Sequence, residues 1–435
     1  EARSQLRYRP LLRVNRFYPR GTMLSRRHGN SFKQNPARKR QSGIPNPTTN
    51  GMDYNQADPV SMEWSKNMNP DRLSRLYELM STDGLTAMIL NPGPTLTYLT
   101  GLQFHLMERP TLVIFTPPAL PVIVLPELES GKLSQSLFEL KSFTYGDNPA
   151  KWGDAIRAAC QESHLDEKTV AVEPLRLRFM ELQYLQNAAP RAHFVSGETT
   201  MNSLRIQKDQ SEVDAMRKAV KIAEQGFLGM LEKAKVGMTE RELAAELTLA
   251  MLQAGSEPEL PFSPIIASGP NSANPHAVPT DRKLSSGDLV VVDWGASYGG
   301  YFSDLTRTLV IGEVDPVLIH IASVVAEANG AGRVAAKPGV MAGRVDRAAR
   351  AVITAAGYGE YFTHRTGHGL GMETHEQPYI FGENTLLLDE GMTFTVEPGI
   401  YLPGRGGVRI EDNMVVTSTG AETLSSLPRE LYHIG

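Results

Sequence analysis

The stretch Leu289–Val310 (LVVVDWGASYGGYFSDLTRTLV) constrains the fold of this chain most, because it places two aspartates inside strand-forming sequence. Asp293 ends a run of three valines, and Asp304 precedes a second run of apolar residues and threonines. The residues between them, centred on Tyr298-Gly299-Gly300, predict the turn of a β-hairpin. If the hairpin is symmetric about that turn, paired residue numbers sum to about 597, which places Asp293 opposite Asp304 on one face.

Two carboxylates that face each other on a strand pair repel, and burying them without a partner is costly. A cation is therefore expected between Asp293 and Asp304. The alternative is a pair of solvent-facing acids at a hairpin end, which is the commoner outcome for an arbitrary pair at this spacing. The flanking valines and the C-terminal third of the chain argue against that alternative.

Composition sets broad limits on the class of protein. The chain has 435 residues, 41% hydrophobic and 21% charged, which is typical of a globular protein long enough for two domains. Its one cysteine, Cys160, excludes an intrachain disulfide and a cysteine-rich metal site, and suits a reducing compartment. No apolar run approaches the ~18 residues that a membrane-spanning helix needs. A metal in this chain must be bound through oxygen and nitrogen.

The N-terminal segment differs from the rest of the chain. Residues 1–50 contain twelve Lys or Arg against the single acid Glu1, although the formal net charge of the whole chain is -4. Residues 1–61 are predicted to be a basic disordered leader, or a segment foreign to the natural chain, whose start would then be Met52 or Met62. A transit peptide and a nucleic-acid-binding arm are the functional alternatives for this segment.

The remaining chain divides into two parts. Helix-then-strand alternation from Asn69 predicts an α/β unit that ends near residue 200. A long amphipathic helix is then predicted from Asp209 to Val236, opened by a capping box and stopped by Gly237. Further helices at 239–253, 316–336 and 342–356 lie between strand-rich blocks, so the second part is predicted to be α+β.

A second hairpin repeats the pattern of the first around Gly404. Glu397 and Glu411 are equidistant from this glycine, each among apolar strand residues, and Arg409 lies two residues before Glu411 on the same face. The sequence therefore predicts a second pair of inward-facing acids.

Four histidines lie near these hairpins in sequence. His364 and His368 belong to the loop HRTGHGLG, whose glycines allow a close approach to a site, His375 follows seven residues later, and His276 precedes the first hairpin. Any one histidine is more often structural than a ligand. Together, however, two aspartates, two glutamates and one histidine match a pair of divalent ions in number and hardness, and such a pair suits amide hydrolysis. Oxygen-rich ligation favours Mn, with Co, Fe or Zn as alternatives.

In this order and within these motifs, the five residues resemble the metal ligands of metallopeptidase family M24, specifically the Xaa-Pro branch of aminopeptidase P and prolidase. The resemblance covers the chain from about residue 69 to its C-terminus, with all five ligand positions filled: Asp293, Asp304, His368, Glu397 and Glu411. It implies a pita-bread catalytic domain over 201–435, preceded by a creatinase-like α/β N-terminal domain over 62–200. The motif Tyr98-Leu-Thr-Gly101 resembles that N-terminal domain, which methionine aminopeptidases generally lack, whereas creatinases lack the complete ligand set.

The resemblance also implies roles for individual residues. Asp304 and Glu411 would bridge both ions, Asp293 would complete the shell of one, and His368 and Glu397 the shell of the other. Glu397 would also act as general base. By the same resemblance His276 and His375 would hydrogen-bond the scissile carbonyl or the tetrahedral intermediate, Arg409 would orient an acid and touch substrate, and His364 would line the proline pocket or only pack its loop.

The activity implied is that of a cytoplasmic, homodimeric, metal-dependent exopeptidase that cleaves Xaa-Pro bonds in dipeptides or at the N-terminus of short peptides. Phe104, His105 and Arg109 would lie at the rim of its site. One alternative is a hydrolase or lyase of the same fold that acts on a non-peptide small molecule. A non-catalytic binding protein is disfavoured because every ligand position is filled. A nucleic-acid partner for residues 1–50, the choice between dipeptidase and aminopeptidase, and a side activity on organophosphates stay open.

Overall fold

The computed structural model describes residues 72–434, so the leader predicted over residues 1–61 lies outside the described part of the chain. Within residues 72–434 no helix is long and apolar enough to cross a membrane.

The first part of the described chain is a six-stranded mixed sheet with helices packed on it. The strands are β1 Ala87–Leu90, β2 Leu112–Phe115, β3 Val122–Pro126, β4 Lys141–Tyr145, β5 Thr169–Val172 and β6 His193–Ser196. The strand order is β4-β3-β2-β1-β5-β6, and β2 runs antiparallel to both of its neighbours. Every residue of β1 and β2 is buried, as expected for strands covered on both faces. The helices are α1 Arg72–Thr82, α2 Pro94–Thr100, α3 Trp152–Glu162, α4 Phe179–Ala188 and α5 Glu198–Arg205.

The second part contains a four-stranded sheet, a five-stranded sheet and two strand pairs, together with four long helices. The four-stranded sheet has the order β19-β11-β8-β7 and the five-stranded sheet the order β13-β12-β14-β17-β18, while β9 pairs with β10 and β15 with β16. The helices are α6 Gln210–Leu231, α7 Glu240–Gln253, α8 Pro316–Ala335 and α9 Ala342–Ala355. The strands before residue 312 are β7 Ile265–Ser268, β8 Leu289–Trp294, β9 Ser297–Tyr298, β10 Tyr301–Phe302 and β11 Leu305–Ile311. The later strands are β12 Gly367–Gly369, β13 Glu376–Ile380, β14 Thr393–Val396, β15 Gly399–Leu402, β16 Gly406–Arg409, β17 Asp412–Val416, β18 Ala421–Thr423 and β19 Tyr432–Ile434. The predicted order of an α/β part followed by an α+β part is confirmed.

Helix α6 has the predicted start but not the predicted end. The Asp209 side chain accepts from the Glu212 backbone N–H, and the Glu212 side chain accepts from the Asp209 N–H, which completes the capping box. The helix ends at Leu231, several residues before Gly237. The intervening segment turns instead, and the Gly237 N–H donates to the Leu284 carbonyl.

The register predicted for the first hairpin is wrong by two residues. Strand β8 pairs with β11 so that Asp293 lies opposite Thr306, with paired numbers summing to 599 rather than 597. The reason is the turn: Gly299 and Gly300 alone form it, with φ of 59° and 73°, a conformation that favours two glycines. Because a shift of two residues preserves the face of a strand, Asp293 and Asp304 still share one face as diagonal neighbours.

The second hairpin has the predicted register. Every pair between β14 and β17 and between β15 and β16 sums to 808, which centres the hairpin on Gly404. Glu397 and Glu411 occupy the interruptions of this ladder. The two hairpins meet at Thr306 and Glu411, which pair in an antiparallel manner. The Glu411 N–H donates to the Thr306 carbonyl at 3.1 Å.

The hydrophobic core continues between the two parts. Buried side chains from α1 and β1, among them Leu76 and Met88, share one cluster with Met216 of α6, Tyr301 of β10 and Leu370 after β12. Strands β8 and β11 are packed against α6 and α7 in a second cluster. The acids of the hairpins are therefore held on strands anchored by apolar packing.

Candidate metal centre

The first hairpin supplies two buried aspartates with unsatisfied oxygens. Asp293 is 8% exposed and Asp304 is 4% exposed. Among the described residues, Oδ1 of each has no hydrogen-bond partner. Since buried carboxylate oxygens are normally paired, these two atoms point to a ligand.

The second hairpin adds Glu411 and Glu397. Thr306 Oγ1 donates to Glu411 Oε2 at 2.7 Å, and Thr395 Oγ1 donates to Glu397 Oε1 at 3.1 Å. Glu411 Oε1 has no partner in the described part of the chain. Glu411 is thus held by a threonine from the first hairpin and Glu397 by a threonine two residues earlier in the chain, with one Glu411 oxygen left over.

His368 lies against the same carboxylates. Its Nε2 is 3.2 Å from Glu397 Oε1 and 3.7 Å from Asp304 Oδ2, while its Nδ1 lies 3.1 Å from the Gly369 carbonyl. Donation from Nδ1 to that carbonyl leaves the Nε2 lone pair for a metal. Asp304, His368 and Glu411 each offer a ligand atom within 4.8 Å of the others.

The glycines beside His368 make its position possible. A Cβ on Gly367 would lie 1.9 Å from the Thr395 carbonyl oxygen, and one on Gly369 would lie 2.2 Å from the Gln377 carbonyl oxygen. Only glycine allows the three strands to approach this closely.

The carboxylates of the cluster are buried close to one another, which disfavours their ionised forms. Burial raises the pKa of Asp304 and of Glu411 well above the ordinary values, reinforced by the neighbouring carboxylates Asp293 and Glu397. The pKa of Asp293 is also raised, chiefly by burial and partly by Glu397, although Arg409 acts in the opposite direction. A divalent cation pair would relieve this repulsion and occupy the free oxygens, so the donor set fits two hard ions.

Arg409 is the cation already inside the cluster. Its Nη2 pairs with Asp293 Oδ2, its Nη1 donates to the Tyr401 hydroxyl at 2.9 Å, and its Nε donates to Thr306 Oγ1 at 3.2 Å. In the metal-free protein burial would raise the pKa of Glu397, but a protonated His368, which donates to it through Nε2, and the charges of His364 and Arg409 lower it to about 2. Glu397 is therefore an ionised carboxylate at neutral pH.

The other predicted histidines lie around the cluster. His364 Nε2 lies 2.9 Å from the Tyr401 hydroxyl, and burial lowers the pKa of His364. The His375 ring stands edge-on to the His368 ring with centroids 4.1 Å apart, and burial together with the charge of His368 lowers its pKa to about 4. His276 is exposed, and its charge helps lower the pKa of His364 and of His375, which places it on the same side of the site.

The predicted rim residues lie on the loop before β2. His105 Nδ1 is 3.6 Å from Glu259 Oε1 of the second part, with both side chains exposed. Arg109 is instead bonded within the first part, to Asp147 at 2.6 Å.

Sequence reasoning missed Tyr401, Thr306 and Thr395, which hold Arg409 and the two glutamates. A signal for the threonines was available: Thr306 follows Asp304 by two residues and Thr395 precedes Glu397 by two, and strand periodicity places each pair on one face. The sequence signal for Tyr401 was weaker. Its hydroxyl reaches Arg409 across the β15–β16 pair, and spacing along one strand does not indicate a contact between two strands.

Two known family patterns match successive parts of the described chain. The pattern described as "Metallopeptidase family M24" matches residues 214–418, and that described as "Creatinase/Prolidase N-terminal domain" matches residues 72–207. A probable dipeptidase, PepE, of Mycobacterium tuberculosis is 38% identical over 83% of this chain and 95% of its own length. The Xaa-Pro dipeptidase of Pyrococcus horikoshii is 33% identical over 83% of this chain and 98% of its own.

Solved structures show the same fold. A dipeptidase from Pyrococcus horikoshii superposes with a TM-score of 0.79 at 37% identity, covering 83% of this chain and 100% of that one. A recombinant prolidase from Thermococcus sibiricus gives a TM-score of 0.80 at 32% identity, covering 83% of this chain and 98% of that one. The predicted creatinase-like N-terminal domain and pita-bread catalytic fold are confirmed.

Proposed function

Because this chain belongs to metallopeptidase family M24 and carries the creatinase/prolidase N-terminal domain, we propose that it is an Xaa-Pro peptidase. The enzyme would use two divalent ions and would act chiefly on dipeptides. The observation that carries the metal requirement is that Asp304, Glu411 and His368 offer ligand atoms within 4.8 Å of one another, while one oxygen each of Asp304 and Glu411 has no hydrogen-bond partner within residues 72–434. The curated relatives named Xaa-Pro dipeptidase support the substrate class.

The metal ligands in this proposal are the five residues of the two hairpins and β12. Asp293, Asp304, His368, Glu397 and Glu411 would together hold the two ions. When bound, two such ions polarise a scissile carbonyl and acidify a water molecule. Arg409 keeps the Asp293 carboxylate oriented through its Nη2, and Thr306 does the same for Glu411.

Glu397 is proposed as the group that carries the proton. Its pKa of about 2 keeps the carboxylate ionised, so it can accept a proton from water. The same carboxylate would then return that proton to the leaving nitrogen of proline.

His375 and His276 are proposed to donate hydrogen bonds to the carbonyl oxygen on which negative charge develops. With a pKa of about 4, His375 is a neutral imidazole at physiological pH, so it would act as an N–H donor rather than as a cation.

The proline preference has a physical basis. An Xaa-Pro bond has no N–H, so a pocket that encloses the ring need not offer an acceptor at that atom. His364 and Tyr401, bonded to each other beside the cluster, are proposed to form part of that pocket wall.

Three finer proposals accompany this function. Manganese is proposed as the physiological ion because most of the donors are hard carboxylate oxygens. A homodimer is proposed, supported by Leu175 and Phe179, apolar side chains that are 87% and 73% exposed in the single chain. A cytoplasmic location is proposed, in keeping with the buried free thiol of Cys160.

The test uses protein stripped with chelator and reloaded with Mn, assayed on Ala-Pro, Ala-Pro-Ala and Ala-Ala. Cleavage of Ala-Pro alone is expected, and it must disappear in the stripped protein. Cleavage of Ala-Pro-Ala would make the protein an aminopeptidase instead. Two bound ions without cleavage of any proline peptide would overturn the substrate class and favour a small-molecule hydrolase or lyase of the same fold.

A further inference from the structure

The loop that carries His375 is bound by residues of the N-terminal domain. This loop, residues 371–376, runs from just after β12 into the first residue of β13, and the centroid of the His375 ring lies 4.1 Å from that of the His368 ring. Few of its hydrogen bonds are internal: the Gly371 N–H donates to the Glu373 carbonyl at 3.2 Å, whereas Thr374 Oγ1 donates to the Pro261 carbonyl. Its position therefore depends on external partners.

Both carboxylate oxygens of Glu373 are held from residues 72–207, the part of the chain that matches the creatinase/prolidase N-terminal domain. Arg176 Nη2 donates to Glu373 Oε1 at 2.6 Å, and Arg205 Nη2 donates to Glu373 Oε2. Arg176 lies between β5 and α4, and Arg205 ends α5. A single loop carboxylate thus joins two separate elements of the first domain.

The other end of the loop is fixed by Arg205 again and by Lys208, which directly follows residues 72–207. Glu376 Oε1 accepts from Lys208 Nζ at 2.5 Å, and Glu376 Oε2 lies 3.6 Å from Arg205 Nη1. A Cβ on Gly371 would lie 2.6 Å from Glu376 Oε1 and 2.8 Å from Lys208 Cε, so the loop backbone packs directly on this pair.

The network is balanced in charge and mostly buried. Arg205, Lys208 and Glu376 have side chains exposed by 8%, 2% and 5%, and Glu173 adds a third carboxylate beside Arg176. Burial would raise the pKa of Glu373, but the charge and hydrogen bond of Arg205 with the bond from Arg176 lower it, so this carboxylate is ionised. Removing one partner would leave uncompensated buried charge, so the pairs maintain one arrangement.

From these contacts we infer that Glu373, clamped by Arg176 and Arg205, is a positioning residue that sets His375 against the metal centre and so couples the N-terminal domain to turnover. The inference rests on the proposed function, because the role of His375 is assigned there. It adds a task for the N-terminal domain that does not require the domain to touch substrate.

The central variant is Glu373→Gln, which keeps the side-chain shape and removes the charge. Displacing a carbonyl donor by about 1 Å can lower the rate about 100-fold, so a fall in kcat of that order with little change in KM is expected. Arg176→Gln should reproduce the effect and Arg176→Lys should restore part of it. The matched control is Glu422→Gln, which breaks a half-exposed pair with Arg217 in the second domain and should leave kcat unchanged.

A double-mutant cycle separates positioning from general damage. In a His375→Ala background, Glu373→Gln should have no further effect on kcat, because the group that it positions is gone. Equal effects of Glu373→Gln in both backgrounds would overturn the inference, as would full kcat in the single variant.

Amide hydrogen exchange supplies a readout that does not depend on catalysis. Exchange at residues 371–376 should be faster in Glu373→Gln than in the wild-type protein, with the same number of bound Mn ions. Unchanged exchange there would refute the clamp. If wild-type protein with two bound ions fails to cleave Ala-Pro, the proposed function fails, while the exchange data still decide whether the clamp exists.

Discussion

Among the five proposed metal ligands, Asp304 is the side chain whose surroundings are hardest to explain without a metal. It is buried, its Oδ1 has no partner in the described residues, and its pKa is raised mainly by burial. Asp304→Asn removes the charge with little change in shape, so we expect the protein to lose one or both ions. Mutation of residues that only support metal ligands lowers activity by up to about 100-fold, so kcat should fall by more than that when a ligand itself is replaced. Metal content and Ala-Pro hydrolysis measure both effects. Asp315→Asn, an exposed cap residue of α8, is the control, and full metal occupancy in Asp304→Asn would refute the ligand assignment.

Arg365 is a half-buried cation beside the centre that forms no ion pair or side-chain hydrogen bond with residues 72–434. Its guanidinium lies over the Tyr379 ring, with Cζ 4.3 Å from the ring centroid, and its charge helps lower the pKa of His375. A dipeptide presents a carboxylate just beyond the scissile bond, where this cation could pair with it, whereas a tripeptide does not. One charge-assisted hydrogen bond corresponds to about a tenfold effect, so Arg365→Gln should raise KM for Ala-Pro about tenfold. The inhibition constant of Ala-Pro-Ala, measured as a competitor of Ala-Pro cleavage, should stay unchanged.

The control for this prediction is Arg347→Gln. Arg347 and Arg365 line the same cavity, but Arg347 is already bonded to the Gly382 carbonyl. An equal rise in KM for Ala-Pro and in the inhibition constant of Ala-Pro-Ala would mean that Arg365 shapes the site without recognising the carboxylate.

At the level of elements, the two hairpins show what a sequence can and cannot specify. The second hairpin was predictable because a single glycine with φ of 74° marks its centre. The first was misregistered because Tyr298 belongs to β9 rather than to the turn, and only the Gly299-Gly300 pair reverses the chain. The face of each acid survived this error because strand periodicity repeats every two residues. The clamp residues were out of reach, since Glu373 and Arg176 lie far apart in sequence in segments without regular patterning.

Helix α7 offers a prediction about stability at this level. Glu240, fully buried in its first turn, accepts from the Ser268 N–H and hydroxyl through Oε1 and from the Thr280 N–H and hydroxyl through Oε2. Glu240→Gln would turn a donor toward one of these N–H groups, so we expect a loss of about 1–3 kcal/mol in the free energy of unfolding at pH 7. Glu246→Gln, on the exposed side of the same helix, is the control and should change little.

The pH dependence of this effect has a definite sign. Burial would raise the pKa of Glu240, but hydrogen bonds from Thr280 and Ser268 lower it below the ordinary 4.5. A lowered pKa gives stability that is present above the unfolded value and is lost as pH falls through the folded one. The difference between wild type and Glu240→Gln should therefore shrink below about pH 4.5. Thermal unfolding at pH 7 and pH 4 tests this, and a difference that grows toward acid would contradict it.

At the scale of the whole molecule, the division near residue 200 and the boundaries 62–200 and 201–435 stay predictions, whereas the packing of the two parts could not be predicted at all. Their shared core joins Leu76 and Met88 to Tyr301 and Leu370, residues that no local pattern associates. Arg72 adds a polar contact of the same kind: it donates to the Tyr98 carbonyl and lies 3.6 Å from Glu212 of α6. Such contacts depend on side chains distant in sequence, which one sequence without relatives does not pair.

Removing the metals should destabilise the whole molecule in a pH-dependent way. In the metal-free protein Asp293, Asp304 and Glu411 have pKa values raised first by burial, so the folded state binds protons more readily than the unfolded state. Stability of the metal-free protein must then fall as pH rises above about 4, the ordinary carboxyl value. Bound ions replace those protons and stabilise the folded state further by mass action, so the loaded protein should lack this decline. We expect the gap in melting temperature between Mn-loaded and chelator-treated protein to widen from pH 5 to pH 8. A gap that is constant over this range would mean that the hairpin acids do not carry the ions, whatever the activity of the loaded protein.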